Sequence, residues 1–258
     1  MTFGPVLRRT AFARLAASHG LATVAQLMVT LGLGVEVLHR TGSGAWVSVT
    51  LALGFAPYAA LSGLAGVVAD RLSRSRVLAA SAALRAVLSL ALVAGLAEGA
   101  PVWLLVALSA LVAVAATPAY PALAAATPQC VADDELPAAN ALVTCVENVT
   151  WIAGPGVYGV LVLLGLDVTT QTGVAAVLLV VAAGVAAAAR TPRPATSPRG
   201  GWDEVLVGLR LVARVPAVSR ATTVIAATAP IVSARLSRPS HLAGSADSWT
   251  SRTTATTR

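Results

Sequence analysis

The chain has 258 residues, of which 57% are hydrophobic and only 11% charged, with a mean hydropathy of +0.79 and a formal charge of +7. That balance excludes an ordinary soluble domain, in which about a quarter of the residues are charged, and it places the protein in a membrane. The positive charge is no argument for a nucleic-acid partner: nine Arg face eight acids over 1–190, whereas 191–258 hold nine Arg and three acids, so the surplus sits in the tail, where a basic segment meets anionic lipid headgroups.

Gaps between charges give the spans in chain order. A first is expected over 15–35, free of acid, Lys and Arg, behind the basic start Arg8, Arg9 and Arg14. It is too long for a signal-peptide core, and no small-residue cleavage site follows it. A second fits 41–69, a third 77–97 interrupted by Arg85, a fourth 99–132, a fifth 136–166 interrupted by Glu147, and a sixth 168–189. Each supplies the roughly 20 apolar residues that cross about 30 Å of hydrocarbon as helix. Aromatic residues make up only 4%, and Ala, Leu, Val and Gly dominate, which suits close helix packing and not the alternating strands and aromatic girdles of a β-barrel. The expected fold class is an all-α integral membrane protein with six transmembrane helices.

Short cytoplasmic loops carry the Lys/Arg excess. With an inside N-terminus the inner segments hold Arg8, Arg9 and Arg14, then Arg71, Arg74 and Arg76, then Arg190, Arg193 and Arg199, and the outer loops hold only Arg40. The expected localisation is the inner (plasma) membrane, multi-pass, N-terminus cytoplasmic. The hairpin 70–76 concentrates an acid and three arginines. One reading is topological: the arginines mark the inner face, and Asp70 caps the next helix, where a carboxylate meets free N–H groups and the positive dipole end.

Polar residues inside the spans mark a candidate pathway. His19, Thr23, Gln26 and Thr30 recur at spacings of four, three and four, so they share one helix face. Such a stripe faces a cavity or another helix, because lipid exposure is costly; His19, near the cytoplasmic end, reads as interfacial, and Thr23, Gln26 and Thr30 as candidate substrate-pathway residues. Arg85 and Glu147 are candidate proton-coupling residues, since an ionisable group in a span is a functional-site hypothesis by default and desolvation lifts a carboxylate towards neutral titration. The alternative for Glu147 is a buried structural acid, and the sequence does not say whether Arg85 is its partner. Gly154-Pro155, with Gly159, marks a helix kink: proline removes a donor and clashes with the preceding turn, and glycines admit a neighbouring helix. It serves either packing or a moving interface.

After the sixth span, 191–201 is rich in proline and glycine, a linker. The stretch "WDEVLVGLRLVAR" then puts Trp202, Val205, Leu206, Leu209 and Val212 on one face, the pattern of a short interfacial helix. The apolar run 221–234 is short for a span, and the last 25 residues have the composition of a disordered tail. The domains read as 1–190, six spans; 191–216, cytoplasmic linker with amphipathic helix; 217–234, an incomplete seventh span; and 235–258, a disordered or frame-shifted tail.

The stretch "GLAGVVADRLSRSRVL" resembles the signature loop of the major facilitator superfamily, roughly G-x-x-x-D-R-x-G-R-[RK], through Gly66, Asp70, Arg71 and Arg74. Ser73 stands for the second glycine and Ser75 for a basic residue. The stretch "RTGSGAWVSVTLALGFAPYAALSGLAGVVADR" is similar to the second-span region of the drug and siderophore exporter branch, and "AYPALAAATPQCVADDELPAANAL" to its loop between the fourth and fifth spans. Gly154-Pro155 with Gly159 resembles the G-P-x-x-G-G element of proton-coupled exporters, with Tyr158 in place of the first glycine of the final pair. The resemblance covers 7–220. It implies a transporter N-terminal half, here truncated; a conformational latch made of Gly66, Asp70, Arg71 and Arg74; and efflux by antiport of amphipathic small molecules against protons, by self-association or by pairing with another transporter half.

The competing expectation is a non-transporting membrane fragment. An enzyme is not expected: no phosphate-binding loop, metal-ligand helix or Ser/His constellation is present, and His19, His39 and His241 are scattered. Cys130 and Cys145 lack paired ligand spacing. No metal or cofactor is expected; the expected partners are a small-molecule substrate, protons and the bilayer, with no nucleic acid.

Overall fold

A computed structural model describes residues 3–71, 73–189 and 191. The chain divides into units 1–201 and 202–258, the second wholly outside the described residues. The expectations for 192–258, interfacial helix, incomplete span and tail, therefore lie outside them too, as do Arg190 and the side chains of 59–71, including Gly66, Asp70 and Arg71.

The described residues are helical throughout, with no strand among them. A one-turn helix α1 (Gly4–Arg8), started by Pro5, leads through Arg9 into α2 (Thr10–Thr41). At 32 residues, α2 is about 48 Å long at 1.5 Å per residue. It stops at Gly42, whose φ of +62° is left-handed and whose N–H returns to the Leu38 carbonyl at 2.8 Å. Helix α3 (Gly44–Arg71) contains Pro57, and α4 (Arg74–Ala97) follows after two residues. The fourth apolar segment is broken into α5 (Val102–Ala116) and α6 (Ala119–Cys130). A 3-10 turn (Asp133–Glu135) precedes α7 (Leu136–Leu163), and α8 (Val168–Ala188) begins at Asp167, whose carboxylate accepts from the Thr170 N–H.

Five segments are long and apolar enough to cross a membrane: Thr10–Thr41, Arg74–Ala97, Val102–Cys130 taken across its break, Asp133–Leu163 and Val168–Ala188. The shorter apolar helix Gly44–Tyr58 is the first part of α3. This is the all-α membrane architecture expected from the charge gaps, with the fourth span interrupted at Thr117-Pro118 where sequence patterning gave one run.

The expectation that Asp70 caps the next helix is corrected. The N-cap of α4 is Ser73, with no side-chain capping bond, and Asp70 lies in the last turn of α3, which runs on to Arg71. An acid there opposes the negative dipole end instead of complementing a positive one.

Two apolar clusters hold the bundle together. One joins Met28, Leu33 and Val37 of α2 to Leu92 and Leu96 of α4, Leu105 of α5 and Leu179 of α8. The other joins Phe12 and Leu15 of α2 to Val77 and Leu78 of α4, Leu123 of α6 and Val143 of α7. Helices α2, α4 and α8 pack against one another through alanines such as Ala25, Ala82, Ala175 and Ala182, all nearly or fully buried; small side chains let backbones approach where lipid supplies no hydrophobic drive between helices. Helix α7 has only Ala139, Val143, Thr150 and Gly154 buried, and turns Ile152 and Leu163 outward.

Candidate functional site

The polar face read along the first span is the wall of a cavity. His19, Thr23, Gln26 and Thr30 of α2 all line a space of about 580 Å³ closed by α3, α4, the α5–α6 break and α7. The Gln26 amide donates to Thr30 Oγ1 at 3.4 Å, while its own oxygen is buried without a partner. Thr23 is satisfied by the His19 carbonyl at 2.9 Å.

Glycines bring α7 onto α2. A Cβ on Gly20 would stand 3.1 Å from Val146 Cγ1, one on Gly32 would stand 3.3 Å from the Tyr158 ring, and one on Gly154 would stand 2.7 Å from Leu27 Cβ. Gly159 has no neighbour within 4 Å of such a Cβ, and α7 continues as helix through Pro155. Of the three kink residues, Gly154 alone makes the close approach. The crossing sets Glu147 of α7 against α2, where its Oε1 meets His19 Nε2. This contact is an ion pair when the imidazole is protonated and a hydrogen bond when the pair shares a single proton. His19 is 7% exposed and lines the cavity, with its ring centroid 6.1 Å from that of Tyr120.

Arg85 of α4 lines the same cavity but does not pair with Glu147. Its Nη2 donates to the Ala22 carbonyl of α2 at 2.5 Å, and its Nε has no partner. An arginine at the centre of a span costs on the order of 3 kcal/mol on insertion scales, so a bond to one carbonyl offsets part of that cost only.

The remaining wall is aromatic. Phe55 of α3 and Trp151 of α7 stack with centroids 5.9 Å apart and planes inclined by 17°, and Tyr58 and Tyr120 face the same space. Gly54 lies against Thr30 Cγ2, 3.3 Å from where a Cβ would sit, and so brings α3 close. At the α5–α6 break, Thr117 and Pro121 border the cavity. Pro118 and Pro121 have no N–H, so helix cannot run through here fully bonded; the Val114 carbonyl instead takes the Thr117 N–H at 3.2 Å, a tighter turn. The aromatic wall and the break were missed from sequence; the signal for the break was the pair of prolines in Thr117-Pro118-Ala119-Tyr120-Pro121.

At the end of the bundle bearing the N-terminus, Arg9 Nε pairs with Glu135 Oε2 at 3.0 Å, Arg14 donates to the Ala188 carbonyl at 2.9 Å, and Thr191 Oγ1 donates to Ser75 Oγ at 3.1 Å. Of the latch residues, Arg74 is buried at the start of α4. Among the described residues no group of three or more His, Cys, Asp or Glu is placed to hold a metal ion.

A bundle of membrane-crossing helices around a polar and aromatic cavity has the form of a membrane transporter. The chain belongs to the major facilitator superfamily, whose family model matches residues 11–243. No curated protein and no solved structure matches it.

Proposed function

We propose that the protein is a proton-coupled exporter of amphipathic small molecules such as drugs or siderophores, with Glu147 carrying the exchanged proton. The observation that supports this reading is the His19–Glu147 contact in the wall of the cavity. A carboxylate sharing its proton with an imidazole changes charge without leaving the membrane interior, and Phe55, Tyr58, Tyr120 and Trp151 offer an apolar body a surface beside that charge. Thr23, Gln26 and Thr30 supply the substrate pathway its hydrogen-bonding groups. Gly66, Asp70, Arg71 and Arg74 form the latch at the inner face, with the N-terminus cytoplasmic in the inner membrane.

Proteoliposomes holding the full chain and a fluorescent amphipathic dye test this. An imposed proton gradient drives uphill dye movement in the wild type. Glu147→Gln abolishes it and spares downhill exchange, because glutamine keeps hydrogen bonding and loses the titratable proton. Uphill movement by Glu147→Gln with an unchanged pH dependence would make Glu147 a structural acid.

A further inference from the structure

Arg85 and Glu147 line one cavity, yet neither is the other's partner. Glu147 reaches α2 through His19, whereas Arg85 reaches it through the carbonyl of Ala22, three residues further along. Three residues of α-helix advance about 4.5 Å, so the acid and the guanidinium are anchored at separate levels of the same wall. Arg85 is 3% exposed, gives one N–H to that carbonyl, and has an Nε with no acceptor; no carboxylate among the described residues reaches its guanidinium. A buried charge without a counter-ion is unfavourable in a membrane interior. The planar fork of a guanidinium matches a carboxylate or a related oxyanion.

We propose that the cavity selects an amphipathic zwitterion, with its anionic group on Arg85, its ammonium on Glu147 and its apolar body against Tyr58, Tyr120 and Trp151. This rests on the reading of the cavity as the substrate site and narrows its substrate class. A zwitterion neutralises both protein groups at once. A simple cation leaves Arg85 without a counter-ion, and a simple anion leaves Glu147 without one. The ammonium arrives already protonated, so when it replaces the proton held between His19 and Glu147, the carboxylate stays ionised and one proton leaves to water for each zwitterion bound. Among the described residues, the titratable and charged groups around that proton are His19 of α2, Tyr58 of α3, Arg85 of α4, Tyr120 of α6 and Glu147 of α7. The proton released is the one held at the His19–Glu147 contact.

Four compounds on one aryl scaffold provide the test: an aminomethyl-aryl carboxylate, its methyl ester, its N-acetyl derivative and the doubly blocked form. Each is titrated into the full chain in detergent, with tryptophan fluorescence reporting binding and a pH indicator reporting protons. The zwitterion is expected to bind at least about tenfold more tightly than the ester or the N-acetyl compound, the factor lost with one charge-assisted contact, and to release protons. Arg85→Gln lowers its affinity to that of the ester, Arg85→Lys falls between, and Glu147→Gln removes the proton release. An ester or N-acetyl compound that binds the wild type as tightly as the zwitterion overturns the proposal and leaves the exporter reading standing. Absence of binding by all four overturns the cavity as an amphipath site, and the proposal with it. The wild-type comparison decides the matter even where a variant fails to fold.

Discussion

Leu27 of α2 and Gly154 of α7 touch where their helices cross, closely enough that a Cβ on Gly154 would stand 2.7 Å from Leu27 Cβ and 2.9 Å from its Cδ1. The obstructing Cβ belongs to the root of the side chain and cannot swing aside. Gly154→Ala is therefore expected to push α7 off α2 and to destabilise the bundle by about 1–3 kcal/mol, the usual range for overpacking. Gly156→Ala, with nothing within 4 Å of the new Cβ, is the control. Thermal unfolding in detergent reads both, and equal midpoints would show that the crossing relaxes freely.

Asp70 sits in the last turn of α3, three residues before Ser73, the N-cap of the next helix. A carboxylate there works against the helix dipole, so its presence calls for a role other than capping. Asp70→Asn is expected to leave membrane insertion unchanged and to cut transport about tenfold, the effect of losing roughly 1.4 kcal/mol of charge contact. Dye flux at matched protein content decides it. Undiminished flux would return the loop to a topology marker.

The arginine asymmetry predicts that the turn after α4 is outside and the start of α4 inside. Glu98 and Arg76 are both exposed. With Cys130 and Cys145 replaced by Ser, Glu98→Cys should react with an impermeant maleimide on intact cells, and Arg76→Cys only after permeabilisation. The reverse pattern inverts the topology.

Asp167 lies in the turn before α8, outside the span. Its carboxylate accepts from Thr170 Oγ1 at 2.5 Å and from the Thr170 N–H at 3.3 Å. The Thr170 side-chain bond first, and the backbone bond after it, hold its titration below the ordinary aspartate range. A group lowered in the folded state stabilises above its unfolded value and loses that contribution as pH falls through the folded one. Asp167→Ala should thus unfold at a lower temperature than the wild type at pH 7, and the gap should close below about pH 3.9, the unperturbed value. A gap independent of pH would trace the effect to backbone propensity.

Much of the fold was legible because bilayer thickness imposes a length on every apolar run, so Arg40, Asp70, Glu98 and Asp167 already bound the spans. The polar half of the cavity was legible for the same reason. Thr23, Gln26, Thr30, Arg85 and Glu147 are unfavourable in lipid, and all five converge on one space. His19, read from sequence only by its nearness to the cytoplasmic end, also lines that space, because Glu147 of α7 crosses to meet it. Phe55, Tyr58, Tyr120 and Trp151 went unnoticed because hydropathy does not separate an aromatic ring turned to lipid from one turned to a cavity. Which charged group meets which was beyond sequence, since the glycine contacts that set the crossing of α2 and α7 are tertiary.

The break between α5 and α6 falls between the two apolar clusters. Leu105 and Val106 of α5 belong to one, and Ala122, Leu123 and Ala126 of α6 to the other. Pro118 and Pro121 remove the donors that would tie the halves into one rod. The fourth span is thus held by one cluster before its break and by the other after it, with the cavity at the break. Those clusters sit at opposite ends of the same two helices, Phe12 and Leu33 both on α2 and Val77 and Leu92 both on α4, so the fourth span grips one rigid pair at both ends and leaves the cavity open between its grips.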